Sequence, residues 1–124
     1  MKTTSILSTL ASVIAVANAG CFDGGDGWGP QDVAMATARQ ACNQLAGTYG
    51  PAGSPSGLKG VCKDANGKRL EFQIFHLDDG SRQLSAEECF TGLEKEVGGC
   101  DNGGDTSSES WRFKADPNSG SCPK

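Results

Sequence analysis

The chain has 124 residues, with 15 aspartates and glutamates against 11 lysines and arginines, a net charge of −4. An acidic surface repels phosphate, which excludes non-specific binding of nucleic acid or anionic membrane as a main role. Eighteen glycines and six cysteines in so short a chain point to a turn-rich domain held by disulfides rather than by a large apolar core.

Lys2 is the only charge before an apolar run, Ile6 to Ala17, that ends in Ala17-Asn18-Ala19. The small-x-small ending is the pattern of a signal-peptidase site, so residues 1–19 read as a signal peptide and the secreted chain starts at Gly20. A membrane span needs about 20 apolar residues, and no segment provides them. Loss of Lys2 takes the charge from −4 to −5. Residues 20–124 are the size of one domain. All six cysteines, Cys21, Cys42, Cys62, Cys89, Cys100 and Cys122, lie within it, which reads as three disulfides of open connectivity. The closest two are eleven apart, unlike the tight pairs of a zinc site. No Asn-x-Ser/Thr glycosylation acceptor occurs.

After a glycine-rich opening around Trp28, Pro30 suits the first turn of a helix. Val33, Ala34, Ala38, Ala41, Cys42 and Leu45 follow at helical spacing, and Gly47 stops it, giving a helix over 30–46. Thr48 to Gly57 reads as a loop. Leu58 to Lys63 is a short strand, and Asn66-Gly67 is a hairpin turn. In the returning strand Leu70, Phe72, Ile74 and His76 share one face, and Glu71, Gln73 and Phe75 the other. Gln83 and Leu84 add a brief pairing. Ser85-Ala86-Glu87-Glu88 is a capping box. It opens a helix over 86–97 whose apolar stripe is Cys89, Phe90, Leu93 and Val97, ended by Gly98. Cys100 to Ser110 reads as a polar loop, Trp111 to Lys114 as a last strand, and Ala115 to Gly120 as turn chemistry. The expected fold is α+β: a small antiparallel sheet packed with two helices in αββαβ order, stapled by disulfides.

Catalytic signatures are missing: no nucleophile elbow, P-loop or H-E-x-x-H occurs, and paired cysteines leave no thiol. A secreted ribonuclease of the small fungal type needs a base, an acid and an arginine. Arg69, Glu71 and His76 share a strand, but His76 points to the opposite, apolar face, as a packing histidine does. Asp101-Asn102-Gly103-Gly104-Asp105 lacks the spacing of a calcium loop. The chain is therefore expected to be no enzyme and to carry no metal or cofactor. Sugar recognition asks for an aromatic face and for side chains that bond hydroxyls. Trp28, Tyr49 and Trp111 stand in polar, glycine-rich surroundings, and Arg112, Asp116 and Asn118 follow Trp111. These six are the candidate ligand-binding residues, whereas Phe72, Phe75 and Phe90 are assigned to the core.

One wider pattern runs from Cys21 to Cys122. Cys21 is followed by Trp28-Gly29, an alanine-rich helix holding Cys42, Leu45-Ala46-Gly47-Thr48-Tyr49 and Cys62. Leu84-Ser85 leads to Cys89, Leu93, Glu96, Gly98-Gly99-Cys100 and Gly103-Gly104, and the close is Trp111-Arg112-Phe113-Lys114-Ala115-Asp116-Pro117-Asn118, Gly120 and Cys122. This resembles a family of small secreted fungal proteins that includes a mushroom lectin of the Y-three type. The resemblance implies a sandwich of helices and a small sheet, a fungal source, and binding of fucosylated or N-acetylhexosamine-containing glycans. The expected partner is thus a glycan or glycoprotein, with a homodimer one option for the assembly. A secreted effector or toxin directed at a protein is the alternative.

Overall fold

The computed structural model describes residues 20–124; the expected signal peptide, residues 1–19, lies outside them. Helix α1 spans Gln31–Leu45 and leads into strand β1, Gly47–Tyr49. A 3-10 turn at Pro55–Gly57 precedes β2, Leu58–Ala65, and β3, Lys68–His76. Then come β4, Arg82–Leu84, helix α2, Ala86–Gly99, β5, Gly104–Ser108, and β6, Trp111–Ser119. The strands form an antiparallel four-stranded sheet, β2-β3-β6-β5, and a two-stranded ribbon, β1-β4. The α+β class, two helices on a small antiparallel sheet, is as expected.

Local chemistry accounts for the main elements. Ser85 Oγ accepts from Glu88 N and Glu88 Oε1 from Ser85 N, both at 3.0 Å, closing the capping box that starts α2. Asn66 and Gly67 have φ of 51° and 76°, the left-handed pair a two-residue hairpin needs, and that turn sets the register of β2 on β3. Helix α1 buries Ala34, Ala38, Ala41, Cys42 and Leu45, a stripe of mostly small side chains, against α2 and across β2 and β3. Helix α2 lies on α1, β5 and β6. Both helices therefore cover one face of the sheet, over Leu70, Phe72, Ile74, Phe113 and Ala115.

Five expectations need correction. The segment Cys100–Ser110 is not all loop. Its polar residues 104–108 pair with β6, held by side-chain bonds from Asp105 and Thr106 instead of by apolar alternation. Residues Ala115 to Ser119 are not a turn but the second half of β6, paired with β3 down to Lys68 opposite Ser119. Pro117 is tolerated because β5 ends at Gly104 opposite Ala115, so β6 is an edge strand at that point. Phe75 is not core: it lies half-buried on the outer face, where the Arg112 guanidinium sits 4.4 Å from its ring centre. Thr48 and Tyr49, expected in a loop, pair with Gln83 and Arg82 in the ribbon, and α2 runs past Gly98 to Gly99.

The cysteines pair as Cys21–Cys100, Cys42–Cys89 and Cys62–Cys122, with none left free. Cys42–Cys89 clamps the two helices together, and the other two pairs tie the ends of the domain to the end of α2 and to β2. Loops of 79, 47 and 60 residues are closed, long enough for each pair to restrict the unfolded chain by about 2–4 kcal/mol.

The closest approach of helix to sheet is at Gly92, where an added methyl would run into the Phe113 ring. Gly92→Ala gains about 1 kcal/mol of helix propensity. Overpacking costs about 1–3 kcal/mol. A net loss of up to about 2 kcal/mol in urea unfolding is the expected result.

Candidate functional site

The face of the sheet away from the helices is where the polar side chains gather. Alternation assigns them. In β3 the residues Leu70, Phe72, Ile74 and His76 point inward, so Arg69, Glu71, Gln73 and Phe75 point outward. The β3–β6 register sets Glu71 opposite Asp116, Gln73 opposite Lys114, Phe75 opposite Arg112 and Arg69 opposite Asn118. Arg112, Lys114, Asp116 and Asn118 are thus outward, while Trp111, Phe113, Ala115 and Pro117 are buried. On β2, Gly60 faces Gln73 and leaves a notch where a side chain would stand. A depression of about 330 Å³ forms there, lined by Gly60, Glu71, Gln73, Lys114, Asp116 and Pro123 among others. That volume is at the small end of ligand pockets.

The electrostatics of this face divide in two. Arg112 makes a two-pronged bond to Asp105, Nε to Oδ1 at 2.8 Å and Nη2 to Oδ2 at 2.7 Å, while lying on Phe75. Hydrogen bonding from Arg112 holds the Asp105 carboxyl below the usual carboxylate range. Arg112 is thus neutralised and immobilised. Near the notch, Glu71 and Asp116 face each other as like charges, an arrangement that costs stability in a strand pair. Asn118 Nδ2 donates to Glu71 Oε1 at 2.8 Å. Lys114, opposite Gln73, supplies a cation to the lining of the depression, and Arg69, opposite Asn118, stands on the other side of the pair.

Of the six candidates from sequence, the structure brings together three, Arg112, Asp116 and Asn118. The aromatic three are elsewhere, in the core, so as ligand-binding candidates they are withdrawn. Trp28 is 5% exposed, stacks on Phe72 at 6.2 Å and donates from Nε1 to Cys100 O at 2.8 Å. Tyr49 is fully buried, donates from its hydroxyl to Leu45 O at 2.7 Å and has its phenol pKa raised by burial. Trp111 is 6% exposed, 5.0 Å edge-on to Tyr49 and 5.0 Å from the His76 ring. None of the three presents a ring face to solvent. They are core pillars, because a domain with a thin core uses its largest rings inside.

His76 is buried, and its Nδ1 is 2.8 Å from Gly50 O. A carbonyl only accepts, so Nδ1 carries the proton. His76 lies on the face opposite Arg69 and Glu71, and the three ribonuclease candidates do not converge. Among the described residues no group of three His, Cys, Asp or Glu side chains is placed to hold a metal ion, and no helix is long and apolar enough to cross a membrane. Sequence reasoning placed Glu71 and Gln73 on the outer face of β3 without assigning them to a binding site, and missed Gly60, Lys114 and Asp105 as their neighbours. The signal was the alternation of residues 111–119, hidden by the Asp-Pro-Asn-Ser-Gly run. Comparison of the chain with protein-family models and with curated proteins finds no match.

The Arg112–Asp105 pair predicts an acid-side effect. A carboxyl held below its usual value contributes stability above about pH 3.9 and loses it as pH falls through the lowered value. Arg112 is 39% exposed, so solvent screening keeps the contribution to less than about 1 kcal/mol. Asp105→Asn should flatten the acid limb of the unfolding curve by that amount, and 0.5 M salt, at about 4 Å screening length, should shrink the difference.

Proposed function

We propose that the chain is a secreted glycan-binding protein whose ligand rests on the outer face of the four-stranded sheet, over Gly60. The observation that carries this reading is the pair of opposed carboxylates, Glu71 and Asp116, kept beside Gln73 and Lys114 around an open notch. Carboxylates accept from hydroxyls while an amide and an ammonium donate, which is the mixed set that a polyhydroxylated ligand calls for. Phe75 under Arg112 extends the row as a fixed flat surface at one end. The likeness to small fungal lectins favours sugar over other polar ligands, and three disulfides in a small domain are compatible with an extracellular life. Glu71 and Asp116 are both half-exposed on an open surface. Nothing there strips a carboxyl of water as acid–base cleavage of a glycoside requires, so the reading is binding without turnover.

The second reading, a protein-directed effector, draws on Leu58 and Leu77, 41% and 40% exposed near Phe75 at one end of the same sheet. An array of glycans screened with oxidised residues 20–124 separates the two. Trp111→Ala is the wrong control, since emptying a core tryptophan site costs about 3–5 kcal/mol. Gly60→Leu is the right one. Its Cβ meets nothing closer than Gln73 Cγ at 3.4 Å, so the fold tolerates the change while the notch fills. A glycan hit weakened at least about tenfold, or 1.4 kcal/mol, by Gly60→Leu with the melting temperature kept is the expected result. A hit that Gly60→Leu leaves intact moves the site off this face. A blank array for folded protein removes the glycan reading and leaves the effector.

A further inference from the structure

Among the described residues the buried polar or charged side chains are Thr37, His76 and Glu96. Thr37 and His76 bond backbone carbonyls. Glu96 differs: it is a carboxyl 1% exposed, on the inner side of α2. One oxygen, Oε2, accepts from Thr106 Oγ1 at 2.6 Å, and the other, Oε1, has no partner among the described residues. An ionised carboxylate in such a place is costly without a counter-charge. Lys95 and Asp105 are the charges that act on it, and Asp105 is answered by Arg112 of β6. Gln31 of α1 donates to the carbonyl of the next residue, Val97, and brings no charge.

Near Glu96, across Gly104, runs the start of the described chain, residues 20–22. Asp105 N donates to Gly20 O at 2.7 Å, Phe22 N donates to Gly103 O at 2.9 Å, and Cys21 is bridged to Gly104 and disulfide-bonded to Cys100. The segment is thereby pinned along the edge of β5. A side chain on Gly104 would meet Glu96 Oε1 at 2.6 Å and Gly20 O at 2.9 Å, so the carboxyl and the Gly20 carbonyl flank one point, with the Gly20 nitrogen two bonds beyond that carbonyl carbon. Gly20 itself has φ of 98°, and a side chain on it would strike Thr106, the residue whose hydroxyl holds Glu96.

The Ala17-Asn18-Ala19 motif sets hydrolysis at the Ala19–Gly20 bond. Water adds across it: Ala19 leaves as a carboxylate with residues 1–19, and the Gly20 nitrogen becomes an amine that takes a proton at neutral pH. We infer that this new α-ammonium is the counter-charge of Glu96, so that removal of the signal peptide completes a buried ion pair which the precursor lacks. With residue 19 gone, the amine swings about the Gly20 Cα–C bond while the carbonyl stays on Asp105. Glycine at this position gives it room to do so. The inference concerns maturation and does not depend on the ligand of the sheet face.

Charge linkage gives the consequence its sign. Burial raises the Glu96 pKa, with Asp105 adding to the effect and Thr106 and Lys95 opposing it. A carboxyl raised in the fold contributes stability below about pH 4.3, and that contribution is lost as pH rises through the raised value. The processed chain avoids this loss, because the ammonium stabilises the charged form.

The test uses secreted protein whose first residue is established as Gly20 by N-terminal sequencing, beside the same protein extended by Ser-Ala ahead of Gly20. Two extra residues carry the charge about 7 Å away. NMR titration should give the Gly20 amine a pKa of about 9 or above, against the usual 7.7–8.0, and Glu96→Gln should return it to the usual range. The extension should lower the melting temperature at pH 7 in the parent and leave the Glu96→Gln variant unchanged. If that variant does not fold, the Glu96 carboxyl titration decides alone: low in the processed protein and high in the extended one. A secreted chain that begins elsewhere, an ordinary amine pKa at Gly20, an equal cost of extension in both backgrounds, or a Glu96 titration indifferent to the extension each overturns the inference.

Discussion

The antiparallel register between β3 and β6 is the constraint on which the rest of the molecule depends. Nine residues of each strand pair without a break, from Lys68 opposite Ser119 to His76 opposite Trp111. Side chains alternate across a strand, so once Phe72 and Ala115 face the helices, every neighbour's side is decided. Leu70, Ile74, Phe113 and Trp111 must be inside; Glu71, Gln73, Arg112, Lys114 and Asp116 must be outside. A slip of one residue would drive Arg112 and Asp116 into the core and is ruled out by the cost of burying them. The same pairing that makes the core therefore also writes the polar row on the open face, and neither can shift without the other.

The inner face explains why so few large side chains suffice. Alanines at 34, 38 and 41 let α1 come close to its neighbours, and the tall residues Trp28, Tyr49 and Trp111 fill the gaps between helices, sheet and ribbon. Two of the three rings bond the ends of helices: Tyr49 reaches the last turn of α1 at Leu45, and Trp28 reaches Cys100 just past α2. Each ring thus does the work of a cap as well as of packing, since carbonyls at a helix end have no partner within the helix. The disulfides reinforce the same joints, Cys42–Cys89 between the helices and Cys21–Cys100 beside the Trp28 contact. Core, caps and cross-links converge on the junction of the two helices, while the outer face is left open.

Legibility in the sequence followed the length scale of the signal. The capping box at Ser85, the Asn66-Gly67 turn and the alternation of β3 are local, and each is found where its residues imply. Strand β5 was invisible because Asp105-Thr106-Ser107-Ser108 has neither apolar alternation nor β-branched density; its structure comes from partners elsewhere, Arg112 on β6 and Glu96 on α2. The second half of β6 was masked by Asp116-Pro117-Asn118-Ser119-Gly120, whose composition favours a turn. Tertiary pairing with β3 overrides that preference. The site suffered in the same way. Trp111 and Arg112 are adjacent in a segment that reads as a strand, so they take opposite faces, and only the position of the helices decides that Trp111 is the covered one. Burial of Trp28 and Tyr49 was not written locally either, because glycine-rich surroundings look the same around an exposed ring and around one covered by a distant helix.

The open face owes its rigidity to elements that a loop site would lack. Gly60, Glu71, Gln73, Lys114 and Asp116 all project from paired strands, so the notch has no hinge of its own. Its rim is closed by Pro123, and the chain there is tied by Cys62–Cys122 to the strand that carries Gly60 and by Cys122 N to Asp64 Oδ1 at 2.7 Å. A tail that would otherwise fray is thus made part of a wall. Ordering such a tail on binding would cost about 0.5–1.5 kcal/mol for each flexible side chain immobilised, a cost that is met here at folding instead. Small depressions gain little from area alone, and a site of about 330 Å³ depends on having its bonding groups already in position. The like-charged pair at Glu71 and Asp116 fits that logic: a rigid sheet can hold opposed carboxylates at a small cost in stability, which the proposed ligand, by donating to both, would relieve.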